Sequence, residues 1–215
     1  ARLLQSLSEE GMMAAVFAEE KTVIQAIGAY KSKVSIAAVN TPKNIVISGN
    51  KTDVASVLKQ LESRGVRYSP LNVSHAFHSP LTEPILDKFR EAAAEINYSS
   101  PGITVISNVT GRPAQGDDLI SAQYWTDHIW QTVRFYDCMK FLETSDVDAF
   151  LEIGPKPVLA TLGKESLPEN ADILWLPSLK KGNNDWKTLF ESLGALYIRG
   201  AEIDWQAFDA PYKRR

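Results

Sequence analysis

The most informative chemistry in this sequence lies in a short loop that carries two histidines on either side of an aromatic residue. His75, Phe77 and His78 fall within residues 74–80, directly after a strand-like run at 66–73. Because the imidazole pKa lies near neutrality, a histidine on a loop is suited to act as a general base. An ordinary pair of surface or core histidines explains the spacing equally well, although functional side chains gather on loops.

A general base needs a nucleophile to activate, and the sequence offers none of the usual kind. No G-x-S-x-G nucleophile elbow occurs in the 215 residues. Cys138, the only cysteine, lies in a helical pattern beside Phe135 and Met139. This context favours a small buried hydrophobe over a reactive thiolate. The residues alone therefore predict a base without a partner.

Two other segments could bind a ligand but have simpler interpretations. Residues 154–157, Gly-Pro-Lys-Pro, follow a strand and precede a helix, as a phosphate-binding loop would. Prolines supply no N–H groups for phosphate, so we predict a structural turn. Asn40 ends a buried-looking strand, and we interpret it as a turn residue, with ligand binding as the alternative.

Composition narrows the classes of partner. A formal net charge of −3 argues against nucleic acid or an anionic membrane as the main partner, and the only basic cluster is at 213–215. One cysteine and three histidines permit no internal disulfide and do not predict a metal site. No apolar run approaches the roughly 18 residues of a membrane span. We therefore expect a cytoplasmic protein.

The first third of the chain has the pattern of a split βαβ unit. We predict strands at 12–18, 34–39, 45–48 and 66–73, with helices at 19–30 and after a cap at Thr52 or Asp53. The order β-α-β-β-α-β within residues 11–73 is ferredoxin-like, with four antiparallel strands and two helices on one face. This order alone says nothing about function.

Later segments predict part of a larger α/β sheet. Strands at 103–107, 149–153 and 174–176 alternate with helices at 84–96 and, in two pieces, at 121–144. Beyond a polar break, residues 186–199 predict an amphipathic helix followed by a weakly ordered, Trp-rich tail that includes Trp205, Phe208 and Tyr212. Residues 1–10 read as the end of a helix without an initiator methionine, so we expect an internal piece of a longer polypeptide.

Taken together, several segments resemble the acyltransferase domain of type I modular polyketide synthases, which is related to malonyl-CoA:acyl carrier protein transacylase. No single motif is decisive, but their order and spacing are specific and cover essentially the whole chain. The matching segments are GMMAAV (11–16), AVNTP (38–42), VISG (46–49), SHAFHSP (74–80), SNVTG (107–111), YW (124–125) through VRF (133–135), FLEIGP (150–155), DW (185–186), and RG to DW (199–205).

The resemblance implies a fold and a division of the chain. The family has a large α/β-hydrolase-like subdomain with an inserted small ferredoxin-like subdomain. On that basis we expect a helix end at 1–10, the small subdomain at 11–73, the rest of the large subdomain at 74–172, and a post-acyltransferase linker at 173–215. In the family, the nucleophile is the serine of a Gly-His-Ser-x-Gly segment, and an arginine binds the malonyl carboxylate. Both residues would precede Ala1 in this chain. Arg2 is one position away from the place of that arginine and does not replace it. The fragment alone is therefore expected to be inactive.

The resemblance also implies roles for individual residues. His78 matches the catalytic histidine, and His128 matches the residue whose backbone carbonyl orients that imidazole. His75, Phe77 and Asn40 match substrate-contacting positions. The form His-Ala-Phe-His is that of malonyl-selecting domains, whereas methylmalonyl-selecting domains carry Tyr-Ala-Ser-His. The bulk of Phe77 would leave no room for a methyl group at the α-carbon, a difference of roughly 1–3 kcal/mol.

The implied function is ping-pong transfer of a malonyl group from coenzyme A, through an acyl-serine, to the phosphopantetheine thiol of an acyl carrier protein. The implied partners are that carrier protein, a neighbouring ketosynthase and other synthase domains, with no bound cofactor or metal. Methylmalonyl selection and a catalytically empty docking domain are the alternatives. An unrelated ferredoxin-like ligand-binding protein would not explain residues 74–215.

Overall fold

A computed structural model describes residues 2–7, 11–169 and 172–210 of the chain. It divides into two compact units, residues 1–145 and residues 146–215. The chain starts with a short helix, α1 (Arg2–Gln5). The domain boundaries expected at 10/11, 73/74 and 172/173 stay predictions.

The first unit is built on a four-stranded antiparallel sheet. The elements are β1 (Gly11–Val16), α2 (Glu20–Ile27), β2 (Val34–Thr41), β3 (Asn44–Asn50), α3 (Lys51–Glu62) and β4 (Tyr68–Pro70). The strand order in the sheet is β2-β3-β1-β4, and helices α2 and α3 follow β1 and β3, which is the ferredoxin-like order predicted from the sequence.

Three details of this sheet differ from the sequence expectation. A 3-10 turn, Gly28–Tyr30, completes the helical segment predicted at 19–30. The cap of α3 is Asn50, whose side chain accepts a hydrogen bond from the Thr52 backbone N–H at 3.1 Å. Only three residues of the strand predicted at 66–73 pair with β1. Pro70 is tolerated because β4 is an edge strand, and the last backbone bond to β1 is the one that the Leu71 N–H donates to the Met13 carbonyl at 2.9 Å.

The two faces of the sheet have different partners because strand side chains alternate. Ala14, Val16, Ile45 and Ile47 pack with the buried faces of α2 and α3 in the main core. The intervening side chains form a second, smaller cluster with Ala76 from the loop that follows β4, and its other buried members are Met13, Ala37 and Val46. The loop that carries the histidines is therefore packed on the sheet face opposite the helices.

The regular structure in the remainder of the first unit is mainly helical. A 3-10 turn at Pro80–Thr82 leads into α4 (Glu83–Ala94), and the helical region predicted at 121–144 forms α5 (Ala122–Trp130) and α6 (Phe135–Glu143). The strand predicted at 103–107 is reduced to two paired residues. These are β5 (Ile106–Ser107), which pairs with β6 (Arg112–Pro113), and a 3-10 turn at Asp118–Ile120 precedes α5.

The second unit contains a β-α-β unit and two further helices. β7 (Ala149–Glu152) and β8 (Leu174–Pro177) are parallel and are connected through α7 (Val158–Ser166). This arrangement confirms the strand–helix alternation predicted for an α/β fold. α8 (Asp185–Ile198) and α9 (Trp205–Asp209) follow. Part of the predicted weakly ordered tail is thus helical, and Tyr212 lies outside the described residues.

Residues 154–157 form the structural turn predicted from their prolines. Both carboxylate oxygens of Glu152 accept hydrogen bonds from the first N–H groups of α7, those of Val158 and Leu159 at 3.1 Å and of Ala160 at 2.7 Å. Because helix N-terminal N–H groups are the usual anion ligands, this carboxylate fills the position that a phosphate would take.

The buried face of α8 differs from the apolar stripe seen in the sequence. Its buried residues are Thr188 and Ser192, and the Ser192 hydroxyl donates to the Pro177 carbonyl of β8 at 2.8 Å. Trp186 and Tyr197, apolar residues near the two ends of this helix, are 53% and 55% exposed. The small polar side chains let the helix approach the strand and leave the aromatic side outward.

Candidate functional site

His78 lies at the apex of a tightly bonded loop. The buried Ser79 hydroxyl donates to the Ala76 carbonyl at 2.6 Å and accepts from the Leu81 N–H at 3.3 Å. The Thr82 hydroxyl donates to the Ser79 carbonyl at 2.7 Å. These bonds fix the backbone on the C-terminal side of the imidazole.

The hydrogen bonding of His78 determines which ring nitrogen carries the proton. Its Nδ1 lies 2.9 Å from the Gln131 carbonyl oxygen. Because a carbonyl only accepts, Nδ1 must donate, and in the neutral ring Nε2 then carries the lone pair. Burial lowers the pKa of His78 from its ordinary 6.5, the bond to Gln131 opposes this, and the nearby charge of His128 lowers the pKa further. The ring is therefore neutral and basic at Nε2 near pH 7.

The carbonyl that orients His78 is not the one expected. We predicted the His128 carbonyl, and the acceptor is that of Gln131. Gln131 is the first residue after α5 and has an extended backbone (φ −75°, ψ 161°), which turns its carbonyl away from the helix. His128 lies inside α5, and its ring packs against those of Tyr124 and Trp125 at 6.2 and 6.0 Å between centroids. Burial lowers the pKa of His128 as well.

The segment after α5 is pinned to the free edge of β2. The Val133 N–H donates to the Ala37 carbonyl at 2.8 Å, and the Val39 N–H donates to the Val133 carbonyl at 2.9 Å. The Thr132 hydroxyl donates to the Ile36 carbonyl at 2.7 Å. This pairing holds the preceding residue, Gln131, in place. Sequence reasoning missed Gln131 because a backbone carbonyl has no residue signature; the break between the two predicted helices was the available signal.

His75 and Phe77 lie together beside the second cluster. The His75 ring is buried, and its Nδ1 lies 2.9 Å from the Ser74 hydroxyl. Its Nε2 has no hydrogen-bond partner among the described residues. The Phe77 ring is partly buried against that cluster, with its centroid 6.0 Å from that of His75. The two predicted substrate contacts are thus neighbours on one face of the sheet.

A cavity of about 570 Å³ lies beside His78. Ser35 and Ile36 of β2, Gln131 and Thr132 line it together with His78. His75, Phe77 and Asn40 are not among its lining residues. Asn40 lies near the end of β2, where its side-chain amide donates to the Asn44 side chain at 3.4 Å. That position fits the turn interpretation, and its role in substrate binding stays a prediction.

Arg134 also lines this cavity, but its charge is already compensated. Its guanidinium donates to the Glu20 carboxylate at 2.6 and 3.3 Å and to Asp137 at 2.5 Å. Two carboxylates hold the guanidinium between α2 and α6. Arg134 therefore serves as a structural link rather than as a receptor for a substrate carboxylate.

Cys138 has the properties of a buried apolar residue, as predicted. Burial, followed by the charge of Asp137, raises the pKa of its thiol to about 11. A thiol with such a pKa is almost entirely protonated at neutral pH and is a poor nucleophile.

Two further observations concern the described part of the chain. No three His, Cys, Asp or Glu side chains within residues 2–7, 11–169 and 172–210 come together as a metal-binding group. Across the same ranges, no helix has both the length and the apolar character needed to cross a membrane.

Known proteins are similar to this chain in sequence and in fold. A family model described as an acyl transferase domain matches residues 1–202. The mycoketide-CoA synthase of Mycobacterium tuberculosis is 44% identical over 206 residues, which are 96% of this chain and 5% of that protein. The polyketide synthase GfsA of Streptomyces halstedii is 39% identical in an alignment of 217 positions, gaps included, which covers 100% of this chain and 3% of that protein.

A solved structure gives the same result. The acyltransferase domain from the second module of the salinomycin polyketide synthase superposes with a TM-score of 0.91 at 36% identity. The match covers 99% of this chain and 49% of that one, so the chain spans about half of the solved domain. The resemblance and the fold class predicted from the sequence are confirmed. The chain belongs to the acyl transferase domain family, as an acyltransferase domain of the type I polyketide synthases.

Proposed function

We propose that this chain supplies the histidine side of an acyltransferase active site that transfers malonyl from coenzyme A to the phosphopantetheine thiol of an acyl carrier protein. The observation that carries this proposal is the bond from His78 Nδ1 to the Gln131 carbonyl, at 2.9 Å. It orients the ring and leaves Nε2 as the basic atom, as an aspartate does for the histidine of a catalytic triad.

In the first half-reaction a serine hydroxyl attacks the malonyl thioester while His78 Nε2 takes the hydroxyl proton. The C–S bond then breaks, the imidazolium returns its proton to the departing coenzyme A thiolate, and malonyl-serine remains. In the second half-reaction Nε2 takes the proton of the carrier's pantetheine thiol, whose sulfur attacks the acyl-serine. The serine leaves with that proton. Because the 215 residues hold no nucleophile elbow, this proposal takes the serine from a segment outside this sequence.

The proposed acyl group is malonyl rather than methylmalonyl. Phe77 precedes His78 directly, and its partly buried ring lies 6.0 Å from His75. A bulky ring on the residue next to the proposed base supports steric exclusion of a methyl group at the substrate's α-carbon. His75 Nε2 is buried without a partner among the described residues, which supports a hydrogen-bond partner from the substrate or from another part of the domain.

The proposed setting is a multidomain synthase. Carrier protein and a neighbouring ketosynthase are the proposed partners, and coenzyme A and phosphopantetheine enter as substrates rather than as resident cofactors. Homology to synthases that are far longer than this chain supports this setting. A cytoplasmic location is proposed with it.

The test is acyl-enzyme formation in the complete domain, the elbow serine included. His78→Ala should slow loading from radiolabelled malonyl-CoA by about 10²–10⁴-fold, the usual contribution of a general base. His75→Ala is the matched control and should have a smaller effect. Loading of His78→Ala at the normal rate would show that His78 is not the base.

A further inference from the structure

The backbone of His78 adopts a conformation that most residues avoid. Its φ is +54°, and it is the only non-glycine residue with positive φ in the described part of the chain. For a residue with a Cβ, this left-handed region costs free energy and persists only where surrounding contacts enforce it. Contacts around His78 must therefore hold this conformation, and the loop's own hydrogen bonds are joined by one from outside the loop.

A hydroxyl on β2 provides that contact. The Ser35 Oγ–H donates to the His78 carbonyl at 2.6 Å, across 43 residues of sequence. The other acceptor near this hydroxyl is the Ser48 carbonyl at 3.4 Å. A serine hydroxyl has one hydrogen, so the shorter contact with His78 takes it.

The same strand fixes the partner of the imidazole. Ile36 and Ala37, the next two residues of β2, accept hydrogen bonds from Thr132 and Val133 at 2.7 and 2.8 Å. These bonds hold the segment that carries the Gln131 carbonyl. Three consecutive residues of β2 thus set both the backbone of His78 and the acceptor of its Nδ1–H.

We propose that Ser35 is a positioning residue for His78. Its hydroxyl keeps the His78 backbone in the left-handed region, and this keeps the ring within hydrogen-bond distance of Gln131 in the Nδ1–H tautomer. The proposal rests on the proposed role of His78 as general base, but the orientation of the ring can be measured without any activity.

The first experiment is nitrogen-15 NMR of the histidines in this chain. Native His78 should be almost entirely the Nδ1–H tautomer at neutral pH. Ser35→Ala should convert it to a mixture of tautomers, and Ser35→Thr, which restores the hydroxyl, should restore the single tautomer. Ser32→Ala is the matched control. Ser32 lines the same cavity, whereas the hydrogen bond to the His78 carbonyl comes from Ser35. An unchanged tautomer in folded Ser35→Ala would overturn the proposal.

The second experiment measures steady-state transfer in the complete domain. Ser35→Ala should lower kcat by about 10-fold, the rate equivalent of one ordinary hydrogen bond, with KM nearly unchanged, since substrate contacts remain. Ser35→Thr should recover most of the rate. If circular dichroism shows that Ser35→Ala does not fold, Ser35→Cys takes its place, because a thiol of similar size is a weak donor.

The two proposals fail in different ways. A tautomer shift in Ser35→Ala together with normal loading by His78→Ala would leave Ser35 as a positioning residue and remove His78 as the base. A kcat loss that Ser35→Thr does not recover would indicate a structural effect and overturn the role of the hydroxyl.

Discussion

His78 combines a strained backbone, a fixed ring and a depressed basicity. A base with a pKa below its ordinary 6.5 is deprotonated at neutral pH, and so it is ready to accept a proton without first losing one. The lowered pKa also makes it a weaker base, so its contribution depends on geometry. This is why the contacts that orient the ring matter as much as the ring itself.

Extender choice is a residue-scale prediction. Changing Phe77 to Ser together with His75 to Tyr, in the complete domain, should raise the use of methylmalonyl-CoA relative to malonyl-CoA by about 10-fold. One methyl group is worth roughly 1–3 kcal/mol in a tight pocket. The measurement is a competition between the two thioesters, expressed as a ratio of kcat/KM values. An unchanged ratio in a folded double variant would place selectivity elsewhere in the domain.

The single cysteine gives a second prediction at this scale. With a thiol pKa of about 11, Cys138 should react very slowly with a disulfide reagent such as DTNB at pH 8 in the folded chain. The same chain in urea is the control and should react fully, since burial no longer disfavours the thiolate. Rapid stoichiometric release of the coloured thiolate from native protein would contradict the buried placement of Cys138.

At the scale of elements, the histidine loop packs so closely on the start of β1 that no side chain fits there. Gly11 begins β1, and a Cβ added to it would lie 2.5 Å from the Ala76 Cβ and 2.9 Å from the Ala76 backbone nitrogen. Atoms do not approach so closely, so the strand start must remain glycine or the loop must move. The position of His78 thus depends on Gly11, which lies 67 positions earlier in the sequence.

Gly11→Ala should therefore lower the free energy of unfolding by about 1–3 kcal/mol, the usual range for overpacking, and disturb the histidine loop. Gly28→Ala is the matched control: nothing lies within 4 Å of its added Cβ, and its φ of −31° is not in the left-handed region. That control should be neutral or stabilising by about 0.4–1 kcal/mol. Urea unfolding of both variants gives the comparison, and equal midpoints would refute the steric account.

Sequence patterns predicted the elements well where the pattern itself makes the structure. The short apolar runs of β1 and β3 and the helical spacing in α2 and α3 encode burial directly, so the ferredoxin-like order could be read from them. β4 and β5 were predicted too long, because pairing depends on a neighbouring strand and not on local composition.

The candidate site was predicted only in part, for a related reason. His78 carries a reactive group that a sequence displays. The Gln131 carbonyl and the Ser35 hydroxyl act through positions reached only by folding, across 53 and 43 residues. The expected His128 carbonyl was wrong by three residues because the end of α5 fixes which carbonyl turns outward.

At the scale of the whole molecule, the chain is about half of a solved acyltransferase domain and a small fraction of the synthases it matches. Its second unit presents an aromatic row on α8 and α9. The rings of Trp186 and Phe190 lie 5.4 Å apart, and those of Tyr197 and Trp205 lie 5.5 Å apart. Trp186 and Tyr197 are about half exposed in this chain, so the row has accessible surface.

We expect this row to be covered in an intact synthase module, as a linker that packs on neighbouring domains would require. Hydroxyl-radical footprinting should show Trp186 and Tyr197 oxidised more slowly in the module than in this chain. Trp175, which already stacks on Phe150 at 4.6 Å, is the internal control and should change little. Equal oxidation of Trp186 in both samples would show that the row stays open to solvent.

The most direct test of His78 as the base is the pH dependence of acyl-enzyme formation, measured by single turnover in the complete domain. The neutral ring is the active form, so the rate should rise with pH and then level off as His78 loses its proton. Because the pKa of His78 is lowered, the pH at which the rate is half-maximal should lie below 6.5. The residual rate of His78→Ala should lack this inflection. A rate that does not depend on pH between 5 and 8, or the same inflection in His78→Ala, would contradict the assignment of His78 as the general base.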